Sequence, residues 1–215
     1  MGKLFGVDSG LYRFMSRLWD MLKLNFMWML CSIPIVTMGA ATTAAFSVTL
    51  KMVDEEEGYI CGPFWKEFKA NIKKGSIMGV FLLVASYALY LDFQFFKVVE
   101  GSAFIFLAIF VLGLVLTITH FIYAFPLQAR YENSVINTMR NSFRISLKYI
   151  PKTIFLCVVL LLEYVVFYQL NWTLLFFGLL LGPACLILTI SGFARQFFRN
   201  IERENDIREE ERKQG

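Results

Sequence analysis

The chain is poor in charge: 18% of its 215 residues are Asp, Glu, Lys or Arg, against 57% hydrophobic. A water-soluble domain carries about a quarter charged residues, so this chain lacks the polar surface to face water on all sides. It has a single histidine and no GxSxG, HExxH, P-loop or CxxC motif. Without them no nucleophile stands beside its base and no phosphate cradle or metal cage is in view, so an enzyme, a cofactor or a metal is not expected. Of the four cysteines, Cys31, Cys157 and Cys185 fall in apolar runs and Cys61 does not. Buried structural thiols are the expectation. The basic residues sit beside the apolar runs, where topology and anionic lipid account for them, so nucleic acid is a poor partner.

What the chain does have is long apolar stretches. A helix needs about 20 apolar residues to cross the hydrocarbon of a bilayer. Residues 76–96, 103–129, 153–170 and 171–194 each meet that length or come close to it. A fifth stretch, 24–50, has no ionisable side chain but is interrupted by Pro34 and Gly39. Residues 24–45 have some features of a cleaved leader, yet the preceding 23 residues are too long for its charged region and further spans follow, so cleavage is not expected.

Lysine and arginine concentrate on the cytosolic side of membrane proteins. Residues 1–23 carry four, 51–75 five, 92–103 only Lys97, 130–152 five, the connection around Asn171 none, and the tail after Ala194 six. The pattern runs in, in, out, in, out, in, with both termini cytosolic in a multi-pass protein of the cell membrane. Stretch 24–50 must then leave the cytosolic side and return to it. Pro34 removes a backbone donor and biases Ile33 away from helix, and Gly39 permits a sharp turn. Two short helices, 24–33 and 39–53, are expected as a hairpin, with the turn packed inside the bundle because irregular backbone at membrane depth needs cover. The alternative is one Pro-kinked span with the N-terminus outside.

The expected fold is therefore all-α: a polytopic membrane bundle of about six membrane helices with amphipathic cytosolic helices. An N-terminal amphipathic segment (1–23, capped by Asp8 or Ser9) lies along the inner interface, a membrane domain follows (24–194), and a charged helical tail closes the chain (195–215). Gly62-Pro63 opens a second amphipathic helix with Trp65, Phe68 and Ile72 on one face and Lys66, Lys69 and Lys73 away from them. A third, about 133–150, has a stripe of Ile136, Met139, Phe143, Leu147 and Ile150, with Arg140, Arg144 and Lys148 on another face, and ends at Pro151. Trp65, Lys66, Lys69, Lys73, Arg140, Arg144 and Lys148 are thus candidates for docking lipid or a partner. The matching segments Phe68-Lys69-Ala70-Asn71-Ile72-Lys73 and Phe143-Arg144-Ile145-Ser146-Leu147-Lys148 suggest a duplicated unit.

Ionisable groups within the membrane are functional candidates by default. His120 and Glu163 each lie about 15 Å from the cytosolic end of their spans by helical rise, so they form a candidate intramembrane polar pair, either a fastener between helices or a proton relay. Asp92 sits near the outer end of its span, where it is expected to be solvated. Trp19, Trp28, Trp65, Tyr87, Tyr90, Tyr164, Tyr168 and Trp172 are placed as interfacial anchors.

The run Leu24-Asn25-Phe26-Met27-Trp28, then Cys31-Ser32-Ile33-Pro34-Ile35-Val36-Thr37-Met38-Gly39-Ala40-Ala41-Thr42-Thr43-Ala44, resembles the YesL family of small bacterial membrane proteins. Phe64-Trp65-Lys66-Glu67-Phe68-Lys69-Ala70-Asn71 and Tyr131-Glu132-Asn133-Ser134 agree with it. Within this helix-break motif Pro34, Thr37, Gly39, Thr42 and Thr43 are candidate site residues. The family has no settled activity and supplies no catalytic residues. The resemblance implies an accessory or regulatory subunit of a carbohydrate importer of the ATP-binding-cassette (ABC) type, touching its permease or nucleotide-binding subunits. The competing expectation is an autonomous small-solute transporter or channel using a cavity near Pro34, His120 and Glu163.

Overall fold

The computed structural model describes residues 10–54, 59–98 and 103–214, so the proposed caps Asp8 and Ser9 lie outside it. The described chain is helical and contains no strand: α1 (Gly10–Ser32), a 3-10 turn (Ile35–Thr37), α2 (Met38–Val53), α3 (Cys61–Val98), α4 (Ala103–Thr119), a π-helical turn (His120–Ala124), α5 (Phe125–Arg130), α6 (Val135–Lys148), α7 (Ile150–Tyr168) and α8 (Trp172–Gln214). Among the described residues, five stretches are long and apolar enough to cross a membrane: Ile35–Val53, Cys61–Val98, Phe104–Arg130, Ile150–Tyr168 and Trp172–Arg203. The expected sixth, in α1, is absent from that set, because Arg13, Arg17, Asp20 and Lys23 occupy the first half of the helix and leave residues 24–32 as its apolar part.

The expected bend between an interfacial segment and residue 24 does not occur. No glycine or proline interrupts 11–33, and Lys23 pairs with Asp20 one turn back (3.2 Å) and lies over the Trp19 ring, so α1 continues unbroken through this point. The chain then reverses. Trp28 donates its indole N–H to Thr42 Oγ1 (3.1 Å), and these residues stand at nearly equal distances on either side of the Ile35–Thr37 turn. This is the hairpin, and it excludes the single kinked span. Its tip is not covered by protein, however: Ile33, Ile35 and Val36 are exposed. Cover is unnecessary because Thr37 satisfies the loose carbonyls itself, its hydroxyl donating to Cys31 O (2.7 Å) and Pro34 O (2.9 Å).

α2 occupies the centre, against α1, α3, α5 and α8. All twelve residues from Gly39 to Leu50 are buried. Small residues permit this. A Cβ on Gly75 would lie 2.7 Å from Ala40 Cα, and one on Gly79 would lie 2.7 Å from Gly39 Cα, so α2 and α3 meet backbone to backbone. The hydroxyls of Thr42, Thr43 and Thr49 bond to carbonyls one turn back, Met38, Gly39 and Ala45, which lets them be buried without an unmet donor.

The amphipathic helix expected from Gly62 is not a separate surface element. It forms the first turns of α3, and Gly75 is a contact point with α2 rather than a break. The buried stripe is Phe64, Phe68, Asn71, Gly75 and Met78, at spacings of three and four, while Trp65 and Ile72 are exposed. Pro126 cannot donate to the Ile122 carbonyl, and the helix widens into the π turn at this point before continuing as α5. α6 ends at Lys148 and Tyr149 leaves helical geometry (φ −121°, ψ 39°) just before Pro151 in the first turn of α7. The proposed duplication is not reproduced in three dimensions, since α3 is continuous and buries Phe68 whereas α6 is detached and exposes Phe143.

Candidate functional site

His120 and Glu163 are not paired. His120 is buried in the π turn, with Nε2 at 3.4 Å from Met78 O and its ring edge-on to Phe81 and Phe125 (centroids 5.3 and 5.6 Å). Glu163, on α7, accepts from Thr189 Oγ1 of α8 (3.0 Å), and its other oxygen is buried without a hydrogen bond. Equal depth along two helices did not make them neighbours, because α7 packs chiefly on α8 and the π turn packs on α4, α5 and α6. Asp92 is half-buried, and among the described residues its Oδ2 has no hydrogen-bond partner. Among the cysteines only Cys31 is buried; Cys157 and Cys185 are half-buried and Cys61 is exposed, and all four are free. Trp28 is no interfacial anchor, since Thr42 holds it inward.

The helix-break motif is accounted for by packing. Pro34 and Thr37 build the turn, Gly39 meets Gly79, Thr42 receives Trp28, and Thr43 bonds Gly39 O. A second such arrangement escaped the sequence reading. Pro183 lies inside α8 and leaves the Leu179 carbonyl without its helical donor. Asn25 of α1 supplies one, its amide donating to Leu179 O (3.0 Å) and Leu180 O (2.9 Å). The signal was present as an asparagine in one apolar run and a proline in another, but their meeting is tertiary.

At the end where the basic segments gather, a charged network joins three helices. Arg130, closing α5, donates from Nε and Nη2 to both oxygens of Glu202 on α8 (3.0 and 3.2 Å), and the Tyr131 hydroxyl donates to the same carboxylate (2.7 Å). Asp54, just past α2, forms an ion pair with Arg195 and lies 4.0 Å from Arg130; Arg195 also donates to Val53 O. Burial, then the hydrogen bond and charge of Glu202, push the Tyr131 phenol up to about 12, against the opposing pull of Arg130. Such a fork holds geometry through two directed bonds.

α6 covers its small polar face and leaves its apolar one outward. Ser134 caps it, accepting from Asn137 N (3.4 Å), and the face it buries is Thr138, Ser142, Ile145 and Ser146. Thr138 donates to Gln128 of α5 (3.1 Å), and the two serines bond to carbonyls of their own helix. The apolar stripe turns outward: Ile136 is 72% exposed, Leu147 54% and Phe143 40%, and Met139 is the half-covered member of the stripe. Arg140, Arg144 and Lys148 are exposed beside it. On α3, which touches α6, Trp65, Lys66, Lys69 and Lys73 are exposed as expected. The docking candidates therefore share one end of the molecule.

A family model described as "Protein of unknown function, DUF624" matches residues 21–93, from the second half of α1 through α2 and most of α3. No curated protein and no solved structure matches the chain.

Proposed function

We propose that this protein is a membrane-embedded accessory subunit that performs no chemistry of its own and binds another membrane complex through the face formed by α6 and the first turns of α3. The observation that carries this reading is the orientation of α6. A helix that buries hydroxyls and leaves Ile136, Phe143 and Leu147 outward between arginines offers an apolar strip with a cationic border. The same end holds the ring of Asp54, Arg130, Arg195 and Glu202, which supports an inner side with both termini cytosolic, as the positive-charge distribution requires. The family model that residues 21–93 match describes the domain of YesL-like proteins, and the resemblance to that family makes a carbohydrate ABC importer, through its permease or nucleotide-binding subunits, the first partner to test. Against an autonomous transporter or channel stands α2, which fills the middle of the bundle.

Tagged protein extracted in mild detergent is expected to bring down importer subunits in fixed proportion, and Phe143→Glu to abolish this while the protein still elutes as a folded species. Solute uptake by the protein alone in liposomes, with no importer retained, would overturn the reading.

A further inference from the structure

Glu163 is the one Asp, Glu, Lys, Arg or His of α7 after Lys152. Its Oε1 accepts from the Thr189 hydroxyl of α8 (3.0 Å), and its Oε2 is buried with no hydrogen-bond partner among the described residues. A carboxylate in apolar surroundings needs a cation or several donors, and without them it takes up a proton instead. The charged groups of the helices packed on α7 are committed elsewhere. Lys152 is eleven residues before Glu163, about 16 Å by helical rise, and lies over the Tyr149 and Phe197 rings. α8 has no Asp, Glu, Lys, Arg or His from Trp172 to Ala194, and Arg195, six residues past Thr189, is held by Asp54 and Val53 O. α6 brings Arg140, Arg144 and Lys148, all of which precede α7 and are exposed. The remaining titratable groups on these faces are neutral: Cys185, one turn from Thr189 on α8, and Tyr164 and Tyr168, ring against ring on α7.

Thr189 also belongs to the wall of a cleft of about 500 Å³ between α1, α2 and α8. Val53 and Gln196 line the cleft too, and they adjoin Asp54 and Arg195 in sequence, so it reaches the end of the bundle where the charged network lies. Arg17 is its one charged lining residue and has an interaction of its own. Gly192, three residues from Thr189, is in the same wall. Glycine is a poor choice in a helix interior unless something requires it. At Gly39, Gly75 and Gly79 the requirement is a touching backbone, whereas a Cβ on Gly192 would meet nothing within 4 Å, so its missing side chain leaves room in the cleft beside Thr189. A water takes about 30 Å³, and the cleft has space for several.

We propose that Glu163 is a proton-binding site: in the folded protein at neutral pH it is a carboxylic acid whose proton exchanges with water through Thr189 and the cleft over Gly192. Protonation is one concerted shift. Thr189 gives its hydroxyl proton to Oε1 and takes one from hydronium in the cleft, which leaves the hydroxyl intact, the carboxyl neutral and a water in place of hydronium. The proton is released again as pH rises. The proposal does not rest on the accessory-subunit reading, since Glu163 is not part of the α6 face.

The test is infrared difference spectroscopy of the full-length protein in liposomes as H2O is replaced by D2O at pH 7. The wild type should show the C=O stretch of a protonated carboxyl, shifted by deuterium, and Glu163→Gln should lose that band. Gly192→Leu and Thr189→Val should keep the band and slow its shift. A second measurement needs no variant to fold: dicyclohexylcarbodiimide, an apolar reagent that adds the O–H of a carboxylic acid across its C=N bond, should label Glu163 of the wild type at pH 7 and progressively less as pH rises, read by peptide mass spectrometry. An unchanged band in folded Glu163→Gln, an unlabelled Glu163, a band that deuterium does not shift, or an undiminished rate in folded Gly192→Leu would each overturn the proposal. Partner capture should be unchanged in Glu163→Gln and lost in Phe143→Glu, so the two readings fail separately.

Discussion

α2 and α7 are similar in length and both qualify as membrane crossings, yet their surroundings are opposite. Every residue of α2 from Gly39 to Leu50 is buried, while only Leu156 of α7 is. α2 is the less apolar of the two and carries four hydroxyls within that buried stretch, Thr42, Thr43, Ser47 and Thr49. In water the greasier helix would go to the centre. In lipid there is no such gradient, because acyl chains are as apolar as leucine, so helices associate by close packing and by hydrogen bonds. Glycine, alanine, serine and threonine make the central helix here, and leucine, valine and phenylalanine make the peripheral one.

The comparison breaks most sharply at Gly39. Gly39→Leu drives a side chain into the α3 backbone, and a loss of about 3 kcal/mol or more in unfolding free energy is expected in detergent. Gly113→Ala, which meets only the flexible end of Leu89, should cost far less and serves as the control.

Next in size is an alkaline effect at the C-terminal end of α2, where Asp54 joins the network of Tyr131. The native state holds the Tyr131 proton more tightly than the unfolded chain does, so this contribution is complete below pH 10 and is lost as pH rises toward about 12. Because Tyr131 is partly exposed, about 1 kcal/mol is expected from this source. Tyr131→Phe should flatten that part of a stability profile measured from pH 9 to 12.

Thr49→Val removes the 2.6 Å bond between Thr49 and Ser191 and should cost about 0.6 kcal/mol, up to about 1.7, in a double-mutant cycle with Ser191→Ala. On α7, Leu162→Ala trims a side chain that faces outward and should stay within about 0.5 kcal/mol of the parent. Smallest of all is the coupling between His120→Ala and Glu163→Gln, expected below about 0.5 kcal/mol because the two residues share no partner. A coupling well above that would restore the intramembrane pair.

Much of the fold was legible along the chain. Pro34 and Gly39 announced the hairpin, Pro151 the end of α6, and the paired charges after Ala194 the helical tail, since each acts on backbone or neighbouring turns only. The candidate site was legible in part. Pro34, Thr37, Gly39, Thr42 and Thr43 all bear structural roles, and the docking candidates are exposed, whereas the shared face of Trp65 and Phe68 is split, with Phe68 buried and Trp65 outward. Periodicity identifies a helix's two faces but not which one a neighbour covers.

Composition and charge spacing by themselves determined an all-α chain with apolar crossings and its basic segments at one end, because insertion into lipid depends on summed hydropathy and local charge. Only the tertiary structure decided that α2 is central, that Asn25 serves the carbonyls loosened by Pro183, that His120 and Glu163 stand apart, and that a cleft opens over Gly192. Each of these depends on which helices become neighbours. In a bilayer that choice rests on steric fit and a few hydrogen bonds between residues far apart in sequence, which no local pattern encodes.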